Sequence, residues 1–109
     1  MKTGDIILIP FPFAEQKGRK VRPAVVVAET KDKHKDIILS AISSVVPENK
    51  SENEIIINPD KVNMLRVISV IKVDRLVTLK KEDVIFKLGK LSPGQKSLFK
   101  SKFKNLIEE

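Results

Sequence analysis

No apolar run in this chain is longer than a β-strand. The longest blocks, around "IILI" and "AVVV", are strand-sized, and polar, turn-forming segments separate them. This pattern repeats from the N-terminus to about residue 91 and leaves little room for buried helices before that point. "GDIILIPF" (Gly4–Phe11) reads as a first strand, entered through a Gly-Asp turn. The segment "PFAEQKGRK" that follows is longer than a tight hairpin needs and carries Gly18 near its middle. "VRPAVVVAE" (Val21–Glu29) is a second strand whose apolar centre predicts burial on both faces. "TKDKHK" is a charged turn, and "DIILSAISSV" (Asp36–Val45) a third strand. After the polar loop "PENKSENE", "IIIN" gives a short strand and "RVISVIKVDRL" (Arg66–Leu76) a further one. Between these two, "NPDKVNML" opens with turn chemistry and has room for one helical turn. "KKEDV" suggests another helical turn, and "IFKLGKL" a last short strand.

One helix is well signalled. Ser92 is a good N-cap, Pro93 suits the first helical position, and Gln95 completes an S-x-x-Q capping box. Leu98, Phe99, Phe103, Leu106 and Ile107 predict an apolar face, with Lys96, Lys100, Lys102 and Lys104 largely on the other. Short strands with a single terminal helix predict a mainly β fold, a small and strongly bent antiparallel barrel rather than a βαβ arrangement. The 109 residues suit one domain, 1–109, able to bury a core without staples.

Composition removes several kinds of chemistry. The chain has no Cys, so disulfides and thiolate metal sites are excluded. Its single histidine, His34, excludes a His-rich metal site, and its place inside "KDKHK" reads as solvated surface rather than catalytic base. Asp5, Asp36 and Asp74 read as turn or capping acids, because no paired-acid spacing appears. No H-E-x-x-H, G-x-S-x-G or P-loop pattern is present. No run reaches the length of a membrane span, and the N-terminus lacks signal-peptide features, which predicts a cytoplasmic protein without a membrane partner. The net charge of +7 suits a polyanionic partner such as RNA or DNA, and it equally suits a lysine-rich composition with no such role.

Two positions attract attention. Arg22 stands where a basic loop becomes a rigid strand, and Pro23 restricts it to extended geometry. A guanidinium fixed there suits bidentate contact with a phosphate. The alternative is a strand-end arginine paired with Glu15 or Glu29. Ser43 closes an apolar strand and, by alternation, shares a face with Ala41, as Ser44 does with Ile42. A hydroxyl there can bind a phosphate oxygen or merely end the strand.

In order along the chain, "GDIILIPFPF", a Gly-containing basic loop, "RPAVVV", "DIILSAISS", "SVIKVDRLVTL" and "KLGKLSP" together resemble the MazF/PemK family of type II toxin–antitoxin toxins, in the branch beginning GDI-x-x-x-x-FPF. The resemblance spans nearly the whole chain. It implies an SH3-like barrel with a C-terminal helix, a homodimer, and an endoribonuclease that cuts single-stranded RNA sequence-specifically without metal or other cofactor. It also implies a cognate antitoxin that blocks the site with an acidic disordered segment. Residue by residue, Arg22 matches the family's catalytic arginine of "RP". Ser43 matches the family's Thr or Ser at the end of the third strand. The loop positions Lys17, Gly18, Arg19 and Lys20 match those that close over RNA, with Ser44 beside them. Phe13 is the best candidate for stacking on an unpaired base, with a core or dimer role as its alternative. Two further readings stand beside the enzyme: a CcdB-like gyrase poison acting through the C-terminal helix, and an inactive barrel that only binds RNA or a partner.

Overall fold

A computed structural model describes residues 1–10 and 21–108. Six strands form one antiparallel sheet, in the order β4-β5-β3-β2-β1-β6. In chain order they are β1 (Asp5–Pro10), β2 (Val21–Glu29), β3 (Ile37–Ser43), β4 (Glu54–Ile57), β5 (Ser69–Leu79) and β6 (Phe86–Lys90). A single 3₁₀ turn covers Lys81–Asp83, and helix α1 runs Pro93–Asn105. The fold is the predicted barrel-like one, although the sheet is not closed: edge strands β4 and β6 are not paired with each other.

Alternation along the strands splits the core between the two faces of the bent sheet. Ile6, Val25, Ile42, Ile71 and Val73 point to one face, where Phe99 of α1 covers them. Ile7, Ile9, Ala24, Val26, Ile37 and Leu39 make a second buried cluster on the other. β2 and β3 are therefore apolar on both sides, as the "AVVV" and "IIL" runs require.

The helix starts as its sequence dictates. The Ser92 Oγ accepts from the Gln95 N–H, and the Ser92 N–H donates to Gln95 Oε1 at 3.0 Å, closing the capping box. Its buried face is narrower than predicted. Phe99 is buried, with Phe103 and Leu106 half-buried beside it, whereas Leu98 and Ile107 are exposed. Spacings of four and three residues place Phe99, Phe103 and Leu106 on one stripe; Leu98 is rotated off it by about 100°, and Ile107 lies beyond the helix end.

The helical turn allowed within Asn58–Leu65 forms as a single turn, in which the Met64 N–H donates to the Asp60 carbonyl at 3.1 Å. Side chains take the surrounding backbone groups: Asp60 Oδ1 accepts from the Val62 and Asn63 N–H groups, and Asn63 Oδ1 from those of Asp60 and Leu65. Such Asx contacts compete with further helical bonding, and Met64 ends the turn in the left-handed region with φ 60°.

Candidate functional site

Two alanines open a cavity in the second face. Ala24 of β2 pairs with Ala41 of β3, which pairs with Lys72 of β5, so the three form one row across the sheet. Continuing the antiparallel register brings Arg22 and Ser43 into the next row, with Ile9 opposite Arg22 and Val70 opposite Ser43. Residues in such rows point to the same side. Because Ala24 and Ala41 carry only methyl groups, the space above them stays open. The result is a cavity of about 230 Å³ lined by Arg22, Ser43, Ser44, Lys72 and Arg75, over a floor that includes Ile9, Ala24 and Leu39. No Asp or Glu lines it among the described residues.

The three predicted site residues that lie within the described part, Arg22, Ser43 and Ser44, are thus brought together. Arg22 is half-buried near the start of β2, immediately before the strand becomes fully buried at Ala24. Glu29 is at the far end of this nine-residue strand, about 23 Å from Arg22 at roughly 3.3 Å per residue. The proposed ion pair between them is therefore out of reach, and the Glu29 carboxylate instead accepts from the Met1 amino group at 2.9 Å. That hydrogen bond is the main cause holding the Glu29 carboxyl below its ordinary range.

Ser43 faces the cavity with Ala41 and Leu39, as alternation predicts. Its Oγ accepts from the Val45 N–H at 3.1 Å. This contact orients the hydroxyl so that its own hydrogen is directed elsewhere and remains able to donate. Ser44 lies just past the end of β3, where alternation lapses, and is exposed at the cavity's rim. Phe13, Lys17, Gly18, Arg19 and Lys20 lie outside the described residues.

Two cations of the site, Lys72 and Arg75, were not legible by strand alternation. Residues three apart on a regular strand face opposite sides. Here β5 departs from regularity: Ala41 pairs with Lys72, but the adjacent Ser40 pairs with Leu76. Val73, Asp74 and Arg75 form a bulge between these pairs, and the bulge turns Arg75 to the side Lys72 already faces. The buried Ser40 hydroxyl holds the bulge by donating to the Val73 carbonyl at 2.9 Å. The only available signal was two cations bracketing "VD" in an otherwise apolar strand.

The remaining candidates fall elsewhere. His34 is exposed in a turn organised by Asp32, whose Oδ1 accepts from the Thr30 hydroxyl and from the His34 and Lys35 N–H groups. These bonds, the Thr30 contact foremost, hold the Asp32 carboxyl below its usual value. Asp5 caps the N-terminal turn by accepting the Lys2 N–H, and it pairs with Lys87 at 3.3 Å. Among the described residues no three His, Asp or Glu side chains gather as a metal site would need, and no helix is long and apolar enough to cross a membrane.

The candidate site is thus a cationic, hydroxyl-bearing cavity on a bent, barrel-like six-stranded sheet with one terminal helix. Residues 2–107 match the family described as the PemK-like, MazF-like toxin of type II toxin–antitoxin systems. The chain belongs to this family, whose members are known as endoribonucleases. Two solved structures share the fold. One, an endoribonuclease in complex with its cognate antitoxin from a mycobacterial species, superposes with a TM-score of 0.71 at 11% identity, covering 96% of this chain and 92% of that one. The other, the Mycobacterium tuberculosis toxin MazF-mt6, gives 0.69 at 17% identity, covering 95% and 96%. By sequence alone, no curated protein matches.

Proposed function

We propose that this chain, a single toxin domain over residues 1–109, is a sequence-specific endoribonuclease that cleaves single-stranded RNA without a metal. The observation that carries the reading is the convergence of Arg22 and Ser43, from adjacent strands, on one cavity. RNA brings its own nucleophile, so the protein needs to supply only alignment and charge stabilisation. The 2′-oxygen attacks the adjacent phosphorus, a 2′-O–P bond forms, and the P–O5′ bond breaks. The 2′ proton leaves to solvent or a base, and the departing 5′-oxygen gains a proton. The products are a 2′,3′-cyclic phosphate and a 5′-hydroxyl.

Arg22 stabilises the charge that builds on the phosphoryl oxygens, through a fork matched to two of them. Its pKa above about 12 makes it unsuited as an ordinary base. The Ser43 hydroxyl donates a further hydrogen bond to the same group. Ser44 at the rim, and the basic loop residues Lys17, Gly18, Arg19 and Lys20 with Phe13, are the proposed contacts to flanking RNA. The protein acts in the cytoplasm as a homodimer, held in check by a cognate antitoxin.

The test is incubation of purified protein with a long, unstructured RNA in EDTA, followed by mapping of new ends. The reading requires discrete cuts whose downstream fragments accept a phosphate from polynucleotide kinase without prior phosphatase treatment. Intact RNA, or fragments already bearing 5′-phosphates, would overturn it. DNA damage that depends on gyrase would support the gyrase-poison alternative instead.

A further inference from the structure

We infer that Lys72 and Arg75 form a second phosphate grip, which holds the phosphate next to the one at Arg22 and Ser43. The inference rests on the ribonuclease reading for the identity of its ligand, and it extends the site by one nucleotide. Three observations carry it. The first is size: 230 Å³ corresponds to about eight waters at roughly 30 Å³ each, more than one phosphate group displaces. The second is placement. Lys72 lies one row along and two strands across from Arg22, and strands are spaced by about 4.8 Å. The two cationic side chains therefore rise from backbone positions about 10 Å apart, on opposite sides of the cavity. In the row of Lys72 the neighbouring strands carry only the methyls of Ala41 and Ala24, which leaves room there for a sugar–phosphate backbone.

The third observation is the bulge. Without it Arg75 would face away from the cavity; with it, two cations from one strand converge on the same side. The nearby acids do not line the cavity. Glu54 stands opposite Lys72 on β4, outside the cavity lining, and its carboxylate accepts the Ser51 N–H at 2.7 Å. Asp74 is exposed at the bulge and does not line the cavity. The two cations hold the strand in register while Arg22 and Ser43 act on the neighbouring phosphate.

The experiment compares the wild type with Lys72→Met/Arg75→Met and with Lys72→Arg. Substrates are short RNAs spanning a mapped cut, each with one flanking phosphate replaced by a neutral methylphosphonate. In the wild type, one such replacement should raise KM about tenfold with little change in kcat, as expected for a lost charged contact. The double variant should show less than about a twofold response to that same replacement, because its partner cations are gone. Lys72→Arg should respond like the wild type. Binding of a fully 2′-O-methylated RNA, which lacks the nucleophile, gives a readout independent of cleavage. There the salt slope of log Kd should fall by about 0.7 in the double variant, the value for one phosphate on a single strand. If the double variant does not fold, Arg75→Met alone, at an exposed position, carries the same comparison. An equal methylphosphonate penalty in wild type and variant, or an unchanged salt slope, would overturn the second grip. A changed slope with no RNA cleavage would leave the grip standing and overturn the ribonuclease reading.

Discussion

Ala24 and Ala41 stand opposite each other on β2 and β3, and the space their side chains do not fill is the cavity between Arg22 and Lys72. Any larger side chain at either position would occupy the path proposed for the phosphodiester. Ala24 is fully buried, whereas Ala41 is half-buried and open toward the cavity.

Ala41→Leu is therefore expected to fold and to lose function. The added carbons project into existing space, so the melting temperature should shift by only a few degrees. RNA cleavage should fall by about a hundredfold, because the phosphate can no longer reach Arg22 in working geometry. Thermal denaturation and a cleavage assay on the same preparation check both halves.

The bulge in β5 is braced by the buried Ser40 hydroxyl and by the Val73 N–H, which donates to the Asn53 carbonyl at 2.9 Å. Ser40→Ala removes the donor to the Val73 carbonyl, at a cost of about 1 kcal/mol. The melting temperature should fall by about 4–8 °C for a domain of this size. A calorimetric scan reads the loss directly, and a Thr at the same position should recover part of it.

Gly89 is a glycine for reasons of space. A Cβ built there would lie 2.5 Å from the Val62 carbonyl oxygen and 2.6 Å from that of Asn63, both backbone atoms. The crossing segment cannot retreat easily, because Val62 also accepts the Lys90 N–H at 3.0 Å. Gly89→Ala should destabilise the protein by about 2 kcal/mol, measurable by urea denaturation.

Acidification should remove one contribution at the opposite end of β2 from the cavity. The Met1 amino group lowers the Glu29 carboxyl from its ordinary value of 4.5. A lowered carboxyl adds stability that is full above the unfolded-chain value and fades as pH falls through the folded one. Glu29→Gln should thus be less stable than wild type at pH 7, and the difference should shrink as the pH falls below the ordinary carboxyl value of 4.5. Denaturation midpoints across an acid titration test this.

Much of the fold was readable because its local signals agree. β2 runs Val21–Glu29 as predicted, since its apolar centre is buried on both faces and the flanking segments are polar. The Ser92 capping box placed the helix start. The position of Arg22 at the start of β2 followed from the seam between a polar segment and an apolar run, and the face taken by Ser43 followed from alternation. It failed at Lys72 and Arg75, where a bulge without Gly or Pro resets the parity of β5. The single turn allowed at Asn58–Leu65 forms around the backbone bond from Met64 to Asp60, and side chains of Asp60 and Asn63 stop it there. Start and end of β5 are both displaced three residues toward the C-terminus from the predicted Arg66–Leu76, to Ser69–Leu79. The exposed segment 66–68 is apolar enough to resemble strand but has no partner strand there.

The central claim is that Arg22 stabilises a transition state on RNA. The most direct measurement is kcat/KM of wild type and Arg22→Ala on one mapped RNA site in EDTA, with folding confirmed by circular dichroism. Loss of one fixed charge-stabilising donor should lower kcat/KM by about a hundred- to a thousandfold. A folded Arg22→Ala protein that cuts the same site within threefold of wild type would contradict the account.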